Sequence, residues 1–353
     1  MEDVIDMPMI KPIYKILSKI HLTSNLLLDF CWLGKQITLQ DEFIAMYMRQ
    51  YNVAIDDLKV ALDTEAHLKK VYTKSDKPKI PLQTHRTWLT SPNNPIEIFD
   101  YLKDPIFFDR MIQTNKLLDS NGEKWNHFIW TNDRSLSKKT FQWFEENGFI
   151  IREFKEIPYD EVLMKMFDKY MEKRELGKAA DILKLCVLYH YGGMALDLDV
   201  FLPAFSNEWN YIFDSIWVRE IDYKFGVAIL NNDLMLAKPH HPILQKYYDL
   251  FKQQYIPQEK HYLPIQSARC LSQTDAKTPF EGGIFLGLVA LAKEFGKDGH
   301  QDISLYPKNK EKIQNYKIKV QNNEVVTIPF SGKSVYICSW MNNYSDALGF
   351  GFY

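Results

Sequence analysis

Apolar positions recur at helical spacing in residues 176–191, the segment around which we expect the chain to fold. Ala180, Leu183, Val187 and Tyr191 lie on one stripe of this predicted helix. Further apolar residues lie beside that stripe and widen it. A helix with so wide an apolar face is expected to be largely buried.

Two glycines and a short strand follow this helix and lead to a pair of carboxylates. Gly192 and Gly193 predict the end of the helix and a sharp turn, because glycine accepts the left-handed backbone that both need. Residues 194–196 then predict a short apolar strand, with Asp197 and Asp199 at its C-terminal end. On a strand these two carboxylates point to the same side, because side chains repeat every two residues.

Two carboxylates this close repel each other unless a cation or a ligand donor lies between them. Carboxylate oxygens suit Mg²⁺ or Mn²⁺, which bind proteins through one or two carboxylates together with substrate phosphates. An isolated D-x-D is usually a solvated surface pair. Here the pair follows an apolar helix and strand, and strand ends are where α/β sheets place ligands, so we interpret it as a metal site.

The remaining pattern divides the chain in two. Residues 1–75 have helical apolar spacing and little glycine, which predicts an N-terminal subdomain of three or four helices. A polar, basic stretch with a proline at 73–79 predicts a linker. From residue 80 to 353 we expect the catalytic domain, with strands near 80–89, 125–133 and 149–154.

Composition excludes some classes of function. Of the 353 residues, 46% are hydrophobic, which is enough for a sizeable core. The formal net charge of -2, without a strongly basic block, makes nucleic acid an unexpected partner. The four cysteines match no zinc spacing and are predicted to be buried free thiols.

No stretch of about 18 uncharged apolar residues predicts a transmembrane span, and the acidic first residues do not form a standard secretory signal. We therefore expect a soluble protein, cytoplasmic or secreted into a host cell without a standard signal peptide. The N-terminal helices are candidates for contact with a target or a membrane surface. Simple packing against the catalytic domain is the alternative.

The segment A-D-I-L at 180–183 followed by Y-G-G-x-x-x-D-x-D resembles the DXD sugar-binding region of family 32 glycosyltransferases. It is more distantly similar to bacterial glucosylating toxins and effectors. The resemblance implies a GT-A type α/β fold and a Mn²⁺ or Mg²⁺ ion. It also implies transfer of a hexose from a nucleotide-sugar donor to a glycan or protein acceptor, with retention of configuration. The implied donor is a UDP-hexose more than GDP-mannose.

The same resemblance assigns roles to residues of the central segment. Asp199 is expected to bind the metal directly, and Asp197 to hold the metal shell or the ribose. Asp181 and Lys184 lie where relatives have D-x-x-R, whose side chains contact the donor sugar or its phosphate. Lys184 keeps the positive charge but lacks the bidentate fork of arginine, and a helix-surface ion pair is the alternative.

Other candidates lie near predicted strand ends and near the C-terminus. Trp88 matches the aromatic residue that stacks on the base, and a core position is its alternative. Asn132, with Asp133, is a candidate for ribose or base contacts, or for a helix cap. In the late S-W pair, the resemblance makes Ser339 a metal-shell candidate and Trp340 a donor clamp. His85 is expected to be structural.

Two other functions fit parts of the pattern. A Mg²⁺-dependent phosphohydrolase of the haloacid-dehalogenase kind also uses a strand-end D-x-D, but its motif normally has Thr or Val where this chain has Phe201. A non-catalytic nucleotide-sugar-binding module would keep the fold without turnover. Metal-dependent release of a nucleoside diphosphate separates the three.

Overall fold

A computed structural model describes residues 48–49, 51–158, 160–222, 227–255, 284–306, 313–336 and 349–352. Helices and strands alternate over most of this length. In chain order they are α1 (Ile55–Leu62), α2 (Thr64–Leu68), β1 (Val71–Tyr72), β2 (Gln83–Thr87), α3 (Ile98–Tyr101), α4 (Ile106–Asp119), β3 (Asn126–Thr131), α5 (Lys138–Glu146), β4 (Ile150–Glu153), α6 (Glu161–Glu172), α7 (Leu176–Tyr191), β5 (Gly193–Leu196), β6 (Val200–Ala204), α8 (Glu208–Ile212), β7 (Ser215–Asp222), β8 (Val227–Ala237), α9 (Pro242–Tyr255), α10 (Ile284–Glu294), β9 (Asp302–Leu305), β10 (Gln314–Val320), β11 (Val325–Tyr336) and β12 (Gly349–Phe352).

The main sheet has the strand order β4-β3-β2-β5-β8-β7-β9. Strands β4, β3, β2 and β5 are parallel neighbours, and β8 pairs antiparallel to both β5 and β7. Residues of β5 are buried on both faces: Met194 and Leu196 pack in one apolar cluster and Ala195 in another. That two-sided burial explains why this strand is a continuous apolar run. The α/β fold class predicted from the sequence is confirmed.

A second sheet has the strand order β1-β10-β11-β12, and β6 pairs antiparallel with β11. The chain leaves the main sheet at the end of β5 and joins the second sheet as β6 only a few residues later. The carboxylates Asp197 and Asp199 lie in this crossing between the sheets.

The described part of the N-terminal segment is packed against the main core. Met48, Val53, Leu58 and Ala61 share an apolar cluster with residues of α7, α9 and α10. Where the pattern predicted helix up to about residue 75, Val71 and Tyr72 instead form a short strand beside β10. Within the ranges described, no helix is long and apolar enough to cross a membrane.

The turn between α7 and β5 admits no side chain. Gly192 and Gly193 have φ values of 65° and 98°. A Cβ added to Gly193 would lie 2.6 Å from Cγ and 2.7 Å from O of Gln83. The Gln83 amide donates to Tyr191 O at 2.7 Å, and the Nε2 of His85 lies 2.8 Å from Gly192 O. The prediction of a glycine turn and of a structural His85 is confirmed.

We expect Gly193→Ala to destabilise the protein much more than Gly122→Ala. Both glycines have positive φ, which costs an alanine about 1 kcal/mol or more. Only at Gly193 does the new Cβ also collide with fixed backbone, whereas at Gly122 it meets nothing within 4 Å. Denaturant unfolding should show a loss of about 3 kcal/mol or more for Gly193→Ala and about 1 kcal/mol for Gly122→Ala. Equal losses would contradict the steric argument.

His85 should make stability depend on pH. Burial lowers the pKa of His85 to about 4, although its contact with Gly192 opposes the shift. Between pH 6.5 and pH 4 the unfolded chain therefore binds a proton that the folded protein does not, and stability falls as the pH falls. The loss is at most about 3 kcal/mol. In chemical unfolding measured across this range, His85→Gln should have a shallower slope than the wild type, and an unchanged slope would contradict the assignment to His85.

Candidate active site

Three parts of the chain meet at the C-terminal end of β5: helix α7, the turn after β5, and the middle of β8. Strand β5 ends at Leu196, and Val200 N donates to Asp197 O at 3.1 Å to close a turn. Asp197 and Asp199 therefore lie on a turn. The sequence analysis had placed them on a continuous strand, and that prediction is wrong. The strand ends early because the chain changes sheets here, so the two-residue side-chain repeat does not orient this pair.

An irregularity in β8 brings its polar residues to this turn. Between the pairs Trp217–Met235 and Arg219–Leu230, β8 advances five residues while β7 advances two. The additional residues bulge out of the ladder, as happens next to many active sites. At this bulge Asp233 O accepts a hydrogen bond of 2.9 Å from Asp197 N. The bulge thus fixes the backbone at the first carboxylate of the turn.

Lys184 of α7 joins the turn to the bulge. Its ammonium lies 2.5 Å from Asp197 Oδ1 and donates to Asn232 O at 2.9 Å. Burial by itself lowers the pKa of Lys184, but the charges of Asp197 and Asp181 outweigh burial and the pKa is raised. Lys184 is thus a buried, charged ammonium ion, not one side of a helix-surface ion pair.

Asp181 lies one turn earlier on α7 and is held by the same bulge. Asn232 Nδ2 donates to Asp181 Oδ1 at 3.1 Å, and Lys184 Nζ is 3.9 Å from that oxygen. Burial raises the pKa of Asp181 to about 7, the Lys184 ammonium opposes this shift, and Asp197 adds to it. Asp181, Lys184 and Asp197, which the sequence analysis singled out, are therefore brought together.

The carboxylates at the turn fit a hard divalent cation in part. The Asp197 side chain is 40% exposed and Asp199 is half-buried, so both can offer oxygen donors. Within the described residues no group of three or more His, Cys, Asp and Glu side chains could hold a metal ion. This donor set matches an ion that takes one or two protein carboxylates and completes its shell with substrate phosphates.

Trp88 directly follows β2, the strand next to β5. Its side chain is 8% exposed and packs in an apolar cluster that includes Leu198, the residue between the two carboxylates. The ring of Tyr101 lies 5.9 Å away at 50°. Trp88 is therefore a largely buried aromatic beside the turn, and its role in base stacking stays a prediction.

Asn132 and Asp133 follow β3 and serve the local backbone. The Asn132 amide accepts from Thr90 N at 3.1 Å and donates to Thr90 O at 3.0 Å. Asp133 accepts from Ser135 N at 2.8 Å and caps the short helical turn after it. The alternative, an Asx cap on the helix that follows, is wrong, because α5 begins at Lys138 after Ser137 and has no side-chain cap. Ribose contact by Asn132 stays a prediction.

Ser339 and Trp340 lie outside the described residues.

Two residues near the site were not predicted from the sequence. Asp233 supplies the backbone oxygen described above, and Tyr247 of α9 has its pKa raised far above the usual range by burial and by the charge of Asp181. The polar run Asn231–Asp233 inside an apolar strand is the signal that could have revealed the bulge.

Parts of the chain are similar to a known protein family and to an individual protein. The TcdA/TcdB catalytic glycosyltransferase domain matches residues 27–269. Inositol phosphoceramide mannosyltransferase 2 of Schizosaccharomyces pombe is 27% identical over 190 residues, which are 53% of this chain and 42% of that protein. The chain thus matches less than half of the length of that relative.

Two solved structures are similar to part of the chain. The PaToxG glycosyltransferase has a TM-score of 0.47 and 19% identity over 71% of this chain and 82% of its own. The UDP-bound glycosyltransferase domain of the YGT toxin has a TM-score of 0.42 and 9% identity, over 64% and 79% of the two chains.

The family match includes the site built above. Residues 27–269 contain α7, the Gly192–Gly193 turn, both carboxylates and the β8 bulge, and they begin inside the segment predicted as the N-terminal subdomain. They also make up well over half of the chain, so this chain belongs to the TcdA/TcdB catalytic glycosyltransferase domain family.

Proposed function

We propose that the protein is a metal-dependent glycosyltransferase that moves a hexose from a nucleotide-sugar donor to a glycan or protein acceptor. The observation that carries this proposal is the junction of Asp181, Lys184 and Asp197 at the end of β5. A buried ammonium and two nearby carboxylates, in a family of glycosyltransferase domains, suit a diphosphate with its counter-cation.

In this proposal two side chains bind the metal ion and two contact the donor. Asp197 and Asp199 hold the metal ion. Lys184 offers positive charge to the diphosphate, and Asp181 accepts a hydrogen bond from a sugar hydroxyl. The Asp181 side chain and the backbone at Asp197 are held before the donor arrives, because Asn232 donates to Asp181 and Asp197 N donates to Asp233 O. Groups fixed in advance need not reorganise during reaction, which is how charged sites lower a barrier.

A bound Mn²⁺ or Mg²⁺ would neutralise the charge that develops on the leaving nucleoside diphosphate. Lys184 works in the same direction, since its ammonium is 6% exposed and little screened by water. Burial also keeps water from the Asp181 side of the site, where a nucleotide-sugar would otherwise be lost to hydrolysis.

The course of β11 supports including Ser339 and Trp340 in the proposal. Strand β11 runs antiparallel to β6, with Ser334 opposite Val200 and Ser331 opposite Ala204. The strand therefore runs towards the Asp199 end of β6 as it approaches its last residue, Tyr336. We retain Ser339 as a metal-shell residue and Trp340 as a donor clamp on this basis.

Donor and acceptor are proposed at the level of class. We propose a UDP-hexose as the donor in preference to GDP-mannose. GDP-mannose stays in the test panel because one similar protein is a mannosyltransferase from Schizosaccharomyces pombe. Trp88 and Asn132 are proposed to contact the base and ribose. Transfer with retention of configuration is proposed from the resemblance of the D-x-D segment alone.

Slow hydrolysis of one donor should be metal-dependent and should require Asp199. We expect the purified protein with Mn²⁺ to release UDP or GDP from one sugar of a UDP- and GDP-sugar panel. EDTA should abolish the release. Asp199→Asn should lower it at least a hundredfold, because a neutral amide replaces the charged carboxylate that holds the ion. A coupled nucleotide-release assay measures both effects.

Asp56→Asn is the matched control, because the Asp56 side chain is 85% exposed on α1 and lies outside the proposed site. It should turn over the donor at the wild-type rate. Release of phosphate from phosphomonoesters instead of nucleotide from sugars would favour the phosphohydrolase. Tight UDP binding without release would favour the binding module, and either result would overturn the transferase proposal.

A further inference from the structure

Lys184 holds the carboxylate that a metal ion needs. The ammonium is 2.5 Å from Asp197 Oδ1, closer than the 2.9 Å to Asn232 O and the 3.9 Å to Asp181. A divalent cation bound by Asp197 would therefore lie within a few ångströms of a fixed positive charge. The two cations would repel each other strongly, because Lys184 is buried and water screens little between them.

Lys184 has little freedom to retreat while it keeps these contacts. Its stem comes from a buried face of α7, and one ammonium hydrogen is committed to Asn232 O in the β8 bulge. The neighbouring Asp181 also attracts the ammonium and adds to the rise in its pKa. A diphosphate carries more negative charge than one carboxylate and therefore attracts the ammonium more strongly than Asp197 does.

We propose that Lys184 and the divalent cation compete for Asp197, so that Lys184 couples metal binding to nucleotide binding. When a nucleoside diphosphate accepts the ammonium, Asp197 is released to the metal. Without a nucleotide, Lys184 lowers the affinity of the protein for the metal. This inference rests on the proposed metal-dependent function and assigns to Lys184 a role in controlling the order of binding.

The test measures Mn²⁺ binding without any donor or turnover. Titration calorimetry or the electron paramagnetic resonance signal of free Mn²⁺ should give at least tenfold tighter binding to Lys184→Met than to wild type. Adding UDP should increase the Mn²⁺ affinity of wild type by a larger factor than that of Lys184→Met. Lys184→Arg, which keeps the charge, should bind Mn²⁺ as weakly as wild type. If Lys184→Met does not fold, Lys184→Gln takes its place.

Lys178→Met is the matched control. Lys178 lies on the same helix, its side chain is also 6% exposed, and it pairs with Glu175 at 3.0 Å, away from the turn. Its loss should leave Mn²⁺ affinity unchanged.

Equal affinity of wild type and Lys184→Met, or no Mn²⁺ binding to Lys184→Met, would overturn the competition. The two proposals fail separately. If donor turnover is metal-dependent but wild type and Lys184→Met bind Mn²⁺ equally, only this inference is overturned. If Lys184→Met binds Mn²⁺ more tightly but the wild type turns over no donor, only the transferase proposal is overturned.

Discussion

The structure depends on a turn in which no side chain fits. Helix α7 is buried along much of its length, and β5, the next element, lies in the middle of the main sheet. The chain passes from one to the other at Gly192 and Gly193, against the side chain and backbone of Gln83 and beside Pro239. This close approach fixes where α7 lies over the sheet. It also fixes the position of α7 along its own axis, and so places Asp181 and Lys184 beside the C-terminal end of β5.

Charge compensation is the second constraint on the site. Two carboxylates in one place, Asp181 and Asp197, are unfavourable unless cations or donors offset them. Lys184 provides the offset from within the protein, and Asn232 provides a donor to Asp181. The same arrangement places a positive charge where a metal ion and a diphosphate are proposed to bind. The contacts that stabilise this site therefore bear directly on the order in which its ligands can enter.

Several features follow from local pattern and were predicted from it. The helix at α7 needs only its apolar periodicity, the turn needs glycine for its positive φ, and β5 needs a short apolar run. The course of the chain after Leu196 was predicted wrongly. Nothing in the sequence around Asp197 and Asp199 reveals that the chain changes sheets there, because the pairing partner of β6 is β11, more than a hundred residues away.

The sequence by itself determined that this is an α/β protein with two carboxylates at the end of a buried strand, because these features depend on residues close together in the chain. Tertiary structure decided what surrounds those carboxylates. The β8 bulge interrupts the pairing of β8 with β7, and at this bulge Asn232 meets Asp181 and Lys184. Burial then raises the pKa of Asp181, while the charges of Asp197 and Asp181 outweigh burial and keep Lys184 charged. Both effects depend on which groups the fold brings together and which atoms exclude water from the site.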